Sequence, residues 1–273
     1  MIFATFTEDD LDTAPAHVPA ASALLDGDGS ANPLVRQLRA AGHADARRTL
    51  MQAALRDAGF DWLCYVRILR IGEHVSHALW FDSYSPAGWA DAYQRANFFD
   101  IDPRVAFVCR SEWPFAWDLN SLFSRTALNH PGSQERRFVD GALACGGASG
   151  VTVGIATANP VERCVVTLAS RTPGQQWLSD TTIGAAYGIA VDLHEFIDAH
   201  PRFRLPRLSS EGLTADQQTI LQCMAMGMHD SDIAHELSMT RSEVSHHLKQ
   251  LIQRYHANSK VQLAYIAGAL ERE

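Results

Sequence analysis

The sequence predicts an α+β protein: an α/β/α sandwich with a mostly antiparallel sheet, followed by an all-α helix-turn-helix domain. Two observations support this expectation. Up to about residue 199, apolar runs typical of strands come in pairs that lie between helical stretches. From residue 213 onward only helical periodicity remains, and two of the predicted helices begin with a capping box.

The composition is that of an ordinary globular protein, with 47% hydrophobic and 20% charged residues in 273 positions. The net charge of −8 argues against indiscriminate binding to nucleic acids or anionic membranes, although a small domain can still carry a basic face. Five cysteines without a CxxC motif disfavour disulfides and zinc ribbons, and indicate reduced cytosol. Because no signal peptide or membrane-spanning run is visible, we expect a cytoplasmic protein with no membrane partner.

The amino-terminal segment and the first helices set the start of the first domain. Residues 1–33 are rich in small and polar residues and carry six charges, all acidic, which predicts a loosely ordered extension. The first folded domain is then expected over residues 34–199. It begins with two amphipathic helices between Asn32 and Gly59, divided at Gly42-His43.

Two hairpin-like pairs supply the predicted sheet. Residues 62–69 and 75–81 are typical of a buried strand and its partner, and residues 151–156 and 163–170 form a second such pair. A long helix over about residues 180–198 closes the domain.

Between the two pairs lies the segment Trp89–Trp117, which holds eight aromatic residues. Ser85-Pro86 and Asp102-Pro103 each have the form of an N-cap followed by proline at the first helical position, so helices are predicted at about 86–97 and 103–110. Aromatic walls with one fixed carboxylate describe a pocket for a mostly apolar ligand that carries an amide or hydroxyl. The alternative is ordinary core with a helix cap, and one carboxylate can serve both roles.

No motif for catalysis or metal binding is apparent. Gly146, Gly147 and Gly150 fit neither GxGxxG after a strand nor GxxxxGK, and the GASG sequence lacks the spacing of a nucleophile elbow. The histidines between His229 and His256 include no HExxH and accompany no paired CxxC. We therefore expect no enzyme, no metal site and no cofactor.

Residues 200–212, with three arginines and two prolines, predict a linker to a domain over residues 213–273. Thr214 opens the first helix of that domain with a capping box, and a short second helix follows at residues 231–237. Thr240 opens a longer third helix in the same way. Two short helices, a tight turn and a third helix with one polar face are typical of a helix-turn-helix.

The polar face of the third helix is suited to the base edges and phosphates of double-stranded DNA. Its outward side chains are Arg241, Ser242, Ser245, His246, Lys249, Gln250, Gln253 and Arg254. From Ser209 to Glu273 the net charge is −3, but between Thr240 and Lys260 four basic residues accompany one acid, Glu243, which the cap occupies. This predicts DNA binding with weak non-specific affinity; the alternative is a solvated helix face in a small bundle.

These motifs together resemble the LuxR-type quorum-sensing transcription regulators, over about Leu50 to Leu270. The stretch from Leu213 to Ala267 resembles the DNA-binding domain of that family throughout, including the segment that ends at Lys260. In the first domain, the family's acyl-homoserine-lactone signature matches, with the family's spacings, Trp89, Tyr93, Asp102-Pro103 and Trp117. Gly150 fits the glycine of a further family motif, and Thr167 fits the family's pocket hydroxyl position.

The resemblance implies a role for each matching residue. Trp89 would donate its indole N–H to the lactone carbonyl, Tyr93 would donate to the acyl amide carbonyl, and Asp102 would accept the amide N–H. Trp117 would pack on the lactone ring, and Thr167 would add a hydroxyl contact. The family also implies a homodimer that binds a small-molecule autoinducer, an N-acyl-homoserine lactone, and a palindromic promoter site.

The sequence departs from the family pattern in three places. Gln217 stands where the family usually has Glu, Gly154 stands where it usually has Pro, and about five extra residues separate Trp117 from Gly150. The alternative function is a lactone-binding module with weak or no DNA binding, which sequesters the signal or pairs with another regulator. An enzyme acting on the lactone is a third reading, which no nucleophile–base pair supports.

Overall fold

The structure is a computed structural model, and it describes residues 1–13, 33–71, 74–130, 132–157, 162–203, 212–255, 257 and 259–270. An α/β/α sandwich built on a six-stranded sheet is followed by a helical domain, as the sequence predicts. The strand order is β1-β3-β2-β6-β5-β4. Among the described pairings only β1 with β3 is parallel, so the expectation of a mostly antiparallel sheet is confirmed.

The strands are β1 (Ile2–Phe6), β2 (Trp62–Ile71), β3 (His74–Phe81), β4 (Phe115–Asp118), β5 (Ser149–Ala156) and β6 (Glu162–Ser170). Both predicted strand pairs, β2 with β3 and β5 with β6, are confirmed as antiparallel neighbours. The two edge strands, β1 and β4, were not predicted. Each is short, at five and four residues, so each shows too little alternation to be recognised locally.

The helices of the sandwich are α1 (Glu8–Asp12), α2 (Pro33–Ala40), α3 (Ala44–Asp57), α4 (Trp89–Arg95), α5 (Pro103–Val108), α6 (Leu119–Leu122), α7 (Arg125–Asn129), α8 (Gln134–Ala144) and α9 (Asp180–Asp198). Short 3₁₀ helices occur at Phe98–Asp100 and Pro201–Phe203. The predicted pair α2 and α3 and the closing helix α9 are confirmed. Helices α6 and α7 were not predicted.

The sheet separates two hydrophobic cores because successive side chains of a strand point to opposite faces. On β2, Leu63 and Tyr65 are fully buried against α2, α3 and α9. Trp62, Cys64 and Val66 point to the other face, where α4, α5 and α8 pack with most of the aromatic residues of the domain.

Residues 1–13 depart from the expectation of a loosely ordered extension. Strand β1 extends the sheet beside β3, and Glu8 of α1 is fully buried. Its carboxylate accepts hydrogen bonds from the Arg47 guanidinium and from the Tyr84 hydroxyl. Glu8 and Asp12 are therefore paired with a buried arginine rather than solvated. Residues 14–32 lie outside the described ranges.

Helix α4 begins at Trp89, so the prediction that Ser85-Pro86 caps it is wrong. The Ser85 hydroxyl instead donates to Asp82 Oδ1 at 2.5 Å. The N-cap of α4 is Gly88, whose φ of 77° is readily adopted because glycine has no Cβ.

The carboxy-terminal domain consists of α10 (Ala215–Ala225), α11 (Asp230–Glu236), α12 (Arg241–Arg254) and α13 (Lys260–Leu270). The predicted capping boxes at Thr214 and Thr240 are both present, and Gln217 completes the first one as Glu would. Helix α13 was not predicted; it packs against α10 and reaches the sandwich near Leu69. Most of the predicted linker, residues 204–211, lies outside the described chain. In the ranges that are described, no helix has both the length and the apolar character needed to span a membrane.

Candidate functional site

A small cavity, with about 20 Å³ of space for the centres of water-sized molecules, lies between the sheet and the helices of the aromatic core. Ligand pockets typically measure about 300–1,000 Å³, so the lining side chains have to move apart before a ligand of that class fits. Its lining residues are Trp62, Cys64, Val66, Trp80, Trp89, Tyr93, Phe99, Asp102, Arg104, Val105, Val165 and Thr167. A mostly apolar wall with a few polar groups is suited to a ligand that is apolar over most of its surface.

Four of the predicted ligand-binding residues line this cavity: Trp89, Tyr93, Asp102 and Thr167. Trp89 and Tyr93 are four residues apart on α4, so they share one helix face, and their ring centroids are 5.7 Å apart. Thr167 lies on β6, and its hydroxyl is 3.0 Å from that of Thr152 on β5. The structure therefore brings together side chains from three separate elements.

Asp102 is the N-cap of α5 and also a wall of the cavity. One carboxylate oxygen accepts the Arg104 backbone N–H at 3.0 Å, and the other accepts the Tyr93 hydroxyl at 2.7 Å. Burial, together with the neighbouring carboxylate, raises the pKa of Tyr93 well above its usual range. The Tyr93 phenol is therefore a proton donor to Asp102. The bond from the Arg104 backbone N–H confirms the predicted N-cap.

Arg104 is a cavity residue that the sequence reasoning missed. It is 4% exposed, and its Nε and Nη2 donate to the Asp102 carboxylate at 2.9 and 2.7 Å. Burial works against its charge, but attraction to Asp102 leaves the pKa of Arg104 raised overall. The available signal was an arginine immediately after Asp-Pro inside an aromatic segment, where an arginine has little access to solvent.

Two of the predicted residues, Trp117 and Gly150, do not line the cavity. The Arg104 guanidinium lies over the Trp117 ring at 4.6 Å. Gly150 pairs with Trp117 across β4 and β5, and a Cβ there would come within 2.8 Å of the Trp117 ring and 2.0 Å of the Leu168 carbonyl oxygen. Gly150 therefore permits close strand packing behind the cavity.

Three buried indole N–H groups have no hydrogen-bond partner within the described chain: those of Trp62, Trp80 and Trp117. Trp62 and Trp80 also line the cavity. They lie on β2 and β3, where sequence reasoning assigned them only to strand cores. Unpaired buried donors are unfavourable in a folded protein, so these two positions are suited to acceptor groups of a ligand.

Helix α12 places most of the predicted DNA-binding residues on one exposed face. Val244, Leu248 and Leu251 are buried on its opposite side. The exposed residues of α12 in the predicted set are Arg241, Ser242, His246, Lys249, Gln250, Gln253 and Arg254, and Ser245 is half-buried beside them. Lys260 is separate from this face, because it begins α13 and forms an ion pair with Asp230.

The capping box at Thr240 also fixes the position of Glu243, the acidic residue near the basic face of α12. The Glu243 carboxylate accepts the Thr240 backbone N–H at 2.7 Å and its hydroxyl at 2.8 Å, and these bonds lower the pKa of Glu243. The one acid near the basic face is thus held at the helix start. Gln250 accepts a hydrogen bond from Gln217, which connects α12 to α10.

A small-molecule cavity in a sandwich domain, joined to a helix-turn-helix, defines a ligand-responsive regulator of transcription. Residues 43–196 match the family model described as an autoinducer binding domain, and residues 211–267 match that of bacterial regulatory proteins of the luxR family. The chain belongs to the LuxR family of autoinducer-binding transcription regulators, and it is not an enzyme.

One solved structure, that of an SdiA complex, shows the same fold, and two others are similar to this chain. SdiA in complex with octanoyl-rac-glycerol has a TM-score of 0.52 and 18% identity, over 87% of this chain and 92% of that one. Escherichia coli SdiA has a TM-score of 0.49 and 17% identity, over 87% and 95%. CepR2 from Burkholderia cenocepacia, described as N-acylhomoserine lactone dependent, has a TM-score of 0.43 and 21% identity, over 63% and 94%. No curated protein matches the sequence.

Proposed function

We propose that this regulator binds an N-acyl-homoserine lactone in the cavity and, as a homodimer in the cytoplasm, binds a palindromic promoter site. The observation that supports the ligand most directly is Asp102, a carboxylate that is 3% exposed and lies on an otherwise largely apolar wall. A buried amide N–H needs such an acceptor, because an unpaired buried polar group costs about 1–3 kcal/mol.

The proposed contacts need the lining side chains to move apart and one hydroxyl group to rotate. The Tyr93 hydroxyl donates to Asp102 Oδ2 in this structure. Rotation of that hydroxyl toward the acyl amide carbonyl leaves Oδ2 to accept the amide N–H. Trp89 then donates to the lactone carbonyl, Thr167 contributes its hydroxyl, and Trp117 supports the head group from behind Arg104.

The proposed DNA contacts follow from α12. A dimer places two such helices about one DNA turn apart, which matches a palindromic site. Arg241, Ser242 and Lys249 are exposed near or along the polar face, where they reach base edges and phosphates. We propose the remaining members of the predicted set, including Lys260, as further contacts of this interface.

Ligand-dependent stability tests the lactone. A ligand that binds only the folded state adds about 2.7 kcal/mol at 100 times its dissociation constant. We expect the melting temperature to rise with lactones of at least one chain length, and to rise much less with octanoylglycerol, which has no amide N–H for Asp102. An equal melting temperature across a graded lactone panel contradicts the proposal.

A second candidate function is a lactone-binding module that binds DNA weakly or not at all. The net charge of −3 from Ser209 to Glu273 favours it. Gln217 does not, because it completes the capping box. Fluorescence anisotropy with promoter fragments distinguishes the two functions: a lactone-loaded dimer with no salt-dependent binding to any fragment favours the module.

A further inference from the structure

The charges on the cavity wall cancel. Among the described residues that line the cavity, Asp102 and Arg104 are the two that carry charge, and they are hydrogen-bonded to each other at 2.7 Å. Their side chains are 2% and 5% exposed. An anionic ligand would therefore add an uncompensated charge to a buried site, whereas a neutral ligand leaves the pair balanced.

Arg104 is held in place but is only partly used. Its guanidinium lies over the rings of Trp117 and Phe138, at 4.6 and 5.0 Å from their centroids. Nε and Nη2 donate to Asp102, while Nη1 makes no hydrogen bond with any part of the chain that the structure describes. A fixed cation that still has N–H groups to donate is a strong binding group for an oxygen acceptor.

The cavity therefore has an excess of donors. The Asp102 carboxylate already accepts from Tyr93, from the Arg104 side chain and from the Arg104 backbone. The indole N–H groups of Trp62 and Trp80 have no partner within the described ranges. A ligand that fits this site has to supply several acceptors for each N–H that it donates.

We propose that Arg104 is a further ligand-binding residue that determines specificity for the head group. Its Nη1 donates to an oxygen of the bound ring, and its guanidinium, rather than the indole of Trp117, faces that ring. The site thus selects a neutral, acceptor-rich head group and rejects the ring-opened carboxylate. This inference rests on the proposed lactone function, and the experiments below separate the two.

A matched pair of ligands tests the head group in the unmodified protein. An N-acyl cyclopentylamine of the same chain length keeps the amide and the chain but lacks both ring oxygens. We expect the lactone to bind at least about tenfold more tightly than this analogue, and the ring-opened acyl homoserine to bind more weakly still. Equal affinity for lactone and analogue overturns the inference.

Substitution at Arg104 assigns the discrimination to this residue. In Arg104→Met the ratio of analogue to lactone dissociation constants should fall by about tenfold. Arg163→Met is the matched control, because the Arg163 guanidinium donates to the Val108 and Ser111 carbonyls at 2.9 Å and does not line the cavity. An unchanged ratio in Arg104→Met, with lactone binding intact, overturns this inference alone.

Arg104→Met leaves Asp102 buried without its cation, which threatens folding. The same ratio is therefore also measured in Asp102→Asn and in the double variant Asp102→Asn/Arg104→Met, where neither charge remains. The double variant should show a lower ratio than Asp102→Asn alone. Equal ratios in these two variants contradict the proposed role of Arg104. If the unmodified protein binds no lactone, the proposed function itself fails.

Discussion

Buried arginines occur on both sides of the sheet, and their partners differ. Arg67 of β2, 2% exposed, donates to the carboxylates of Glu162 and Asp198 at 2.6 and 2.8 Å. Arg47 likewise has two carboxylates, those of Glu8 and Asp12. Arg104 has one carboxylate, which it shares with Tyr93.

The difference separates a structural ion pair from a binding group. Arg67 and Arg47 each have two carboxylate acceptors, so their charges are neutralised by the fold itself. Arg104 has fewer acceptors than its N–H groups can use, and it lies at a cavity. A surplus of donors beside empty space indicates a ligand, whereas a fully paired arginine indicates stability.

The largest expected effect is the loss of protein stability when Arg67, which has two carboxylate partners, is replaced. Arg67→Met leaves Glu162 buried without a cation, so the free energy of unfolding should fall by about 3–5 kcal/mol with or without lactone. Chemical denaturation measures this. The control is Arg48→Met, because the partners of Arg48, Asp9 and Asp45, are exposed, and a surface pair contributes at most about 1 kcal/mol. Similar losses in both variants would remove the distinction.

The next effect concerns Asp102, the one carboxylate partner of Arg104. Asp102→Ala should abolish the lactone-dependent stabilisation, which is about 2.7 kcal/mol at 100 times the dissociation constant. Thermal denaturation with and without lactone measures it. Asp118→Ala is the control, because Asp118 also caps a helix, accepting the Asn120 N–H at 3.3 Å, but does not line the cavity. A lactone shift that persists in Asp102→Ala reduces Asp102 to a helix cap.

A smaller effect appears at acidic pH, where the Arg47 cluster loses a charge. The hydrogen bond from Arg47 lowers the pKa of Asp12 below its ordinary value of 3.8. The stabilisation is thus present above pH 3.8 and is lost as the pH falls through the lowered folded-state value. Asp12→Asn should therefore flatten the dependence of the free energy of unfolding on pH in this acidic range. The change should be less than about 1 kcal/mol because Asp12 is partly exposed. An unchanged pH profile contradicts the pairing.

The smallest expected effect is on DNA binding, where a lysine with no ion pair in the described chain is compared with a lysine in an ion pair. Lys249 is exposed and has no ion pair within the described chain, whereas Lys260 is paired with Asp230. Lys249→Ala should weaken operator binding and reduce the salt slope by about one, the value for one phosphate contact. Lys260→Ala should reduce it less. Anisotropy titrations at several salt concentrations measure both slopes, and equal reductions would contradict the comparison.

Local sequence patterns predicted the parts of this molecule that local chemistry determines. The Asp102-Pro103 cap, the capping boxes at Thr214 and Thr240 and the shared face of Trp89 and Tyr93 depend on residues within four positions of each other. Such contacts form in the same way wherever the segment is placed.

Features that depend on distant partners were not predicted. Strand β1 is ordered because it pairs with β3 and because Glu8 contacts Arg47 and Tyr84, which lie far along the chain. Arg104 is buried because Trp117 and Phe138 lie beneath it. Ser85-Pro86 had the form of a cap, but Asp82 provided a competing partner for its hydroxyl.

A substitution at Gly154 can change the shape of the cavity, although Gly154 does not line it. A Cβ at this position would come within 2.4 Å of the Val108 carbonyl oxygen, at the end of the short helix whose other end holds Asp102 and Arg104. Any larger side chain at position 154 has to push that helix along or away from the sheet. Variation at a single strand position can thus change which signal molecule is recognised while every residue of the cavity wall stays the same.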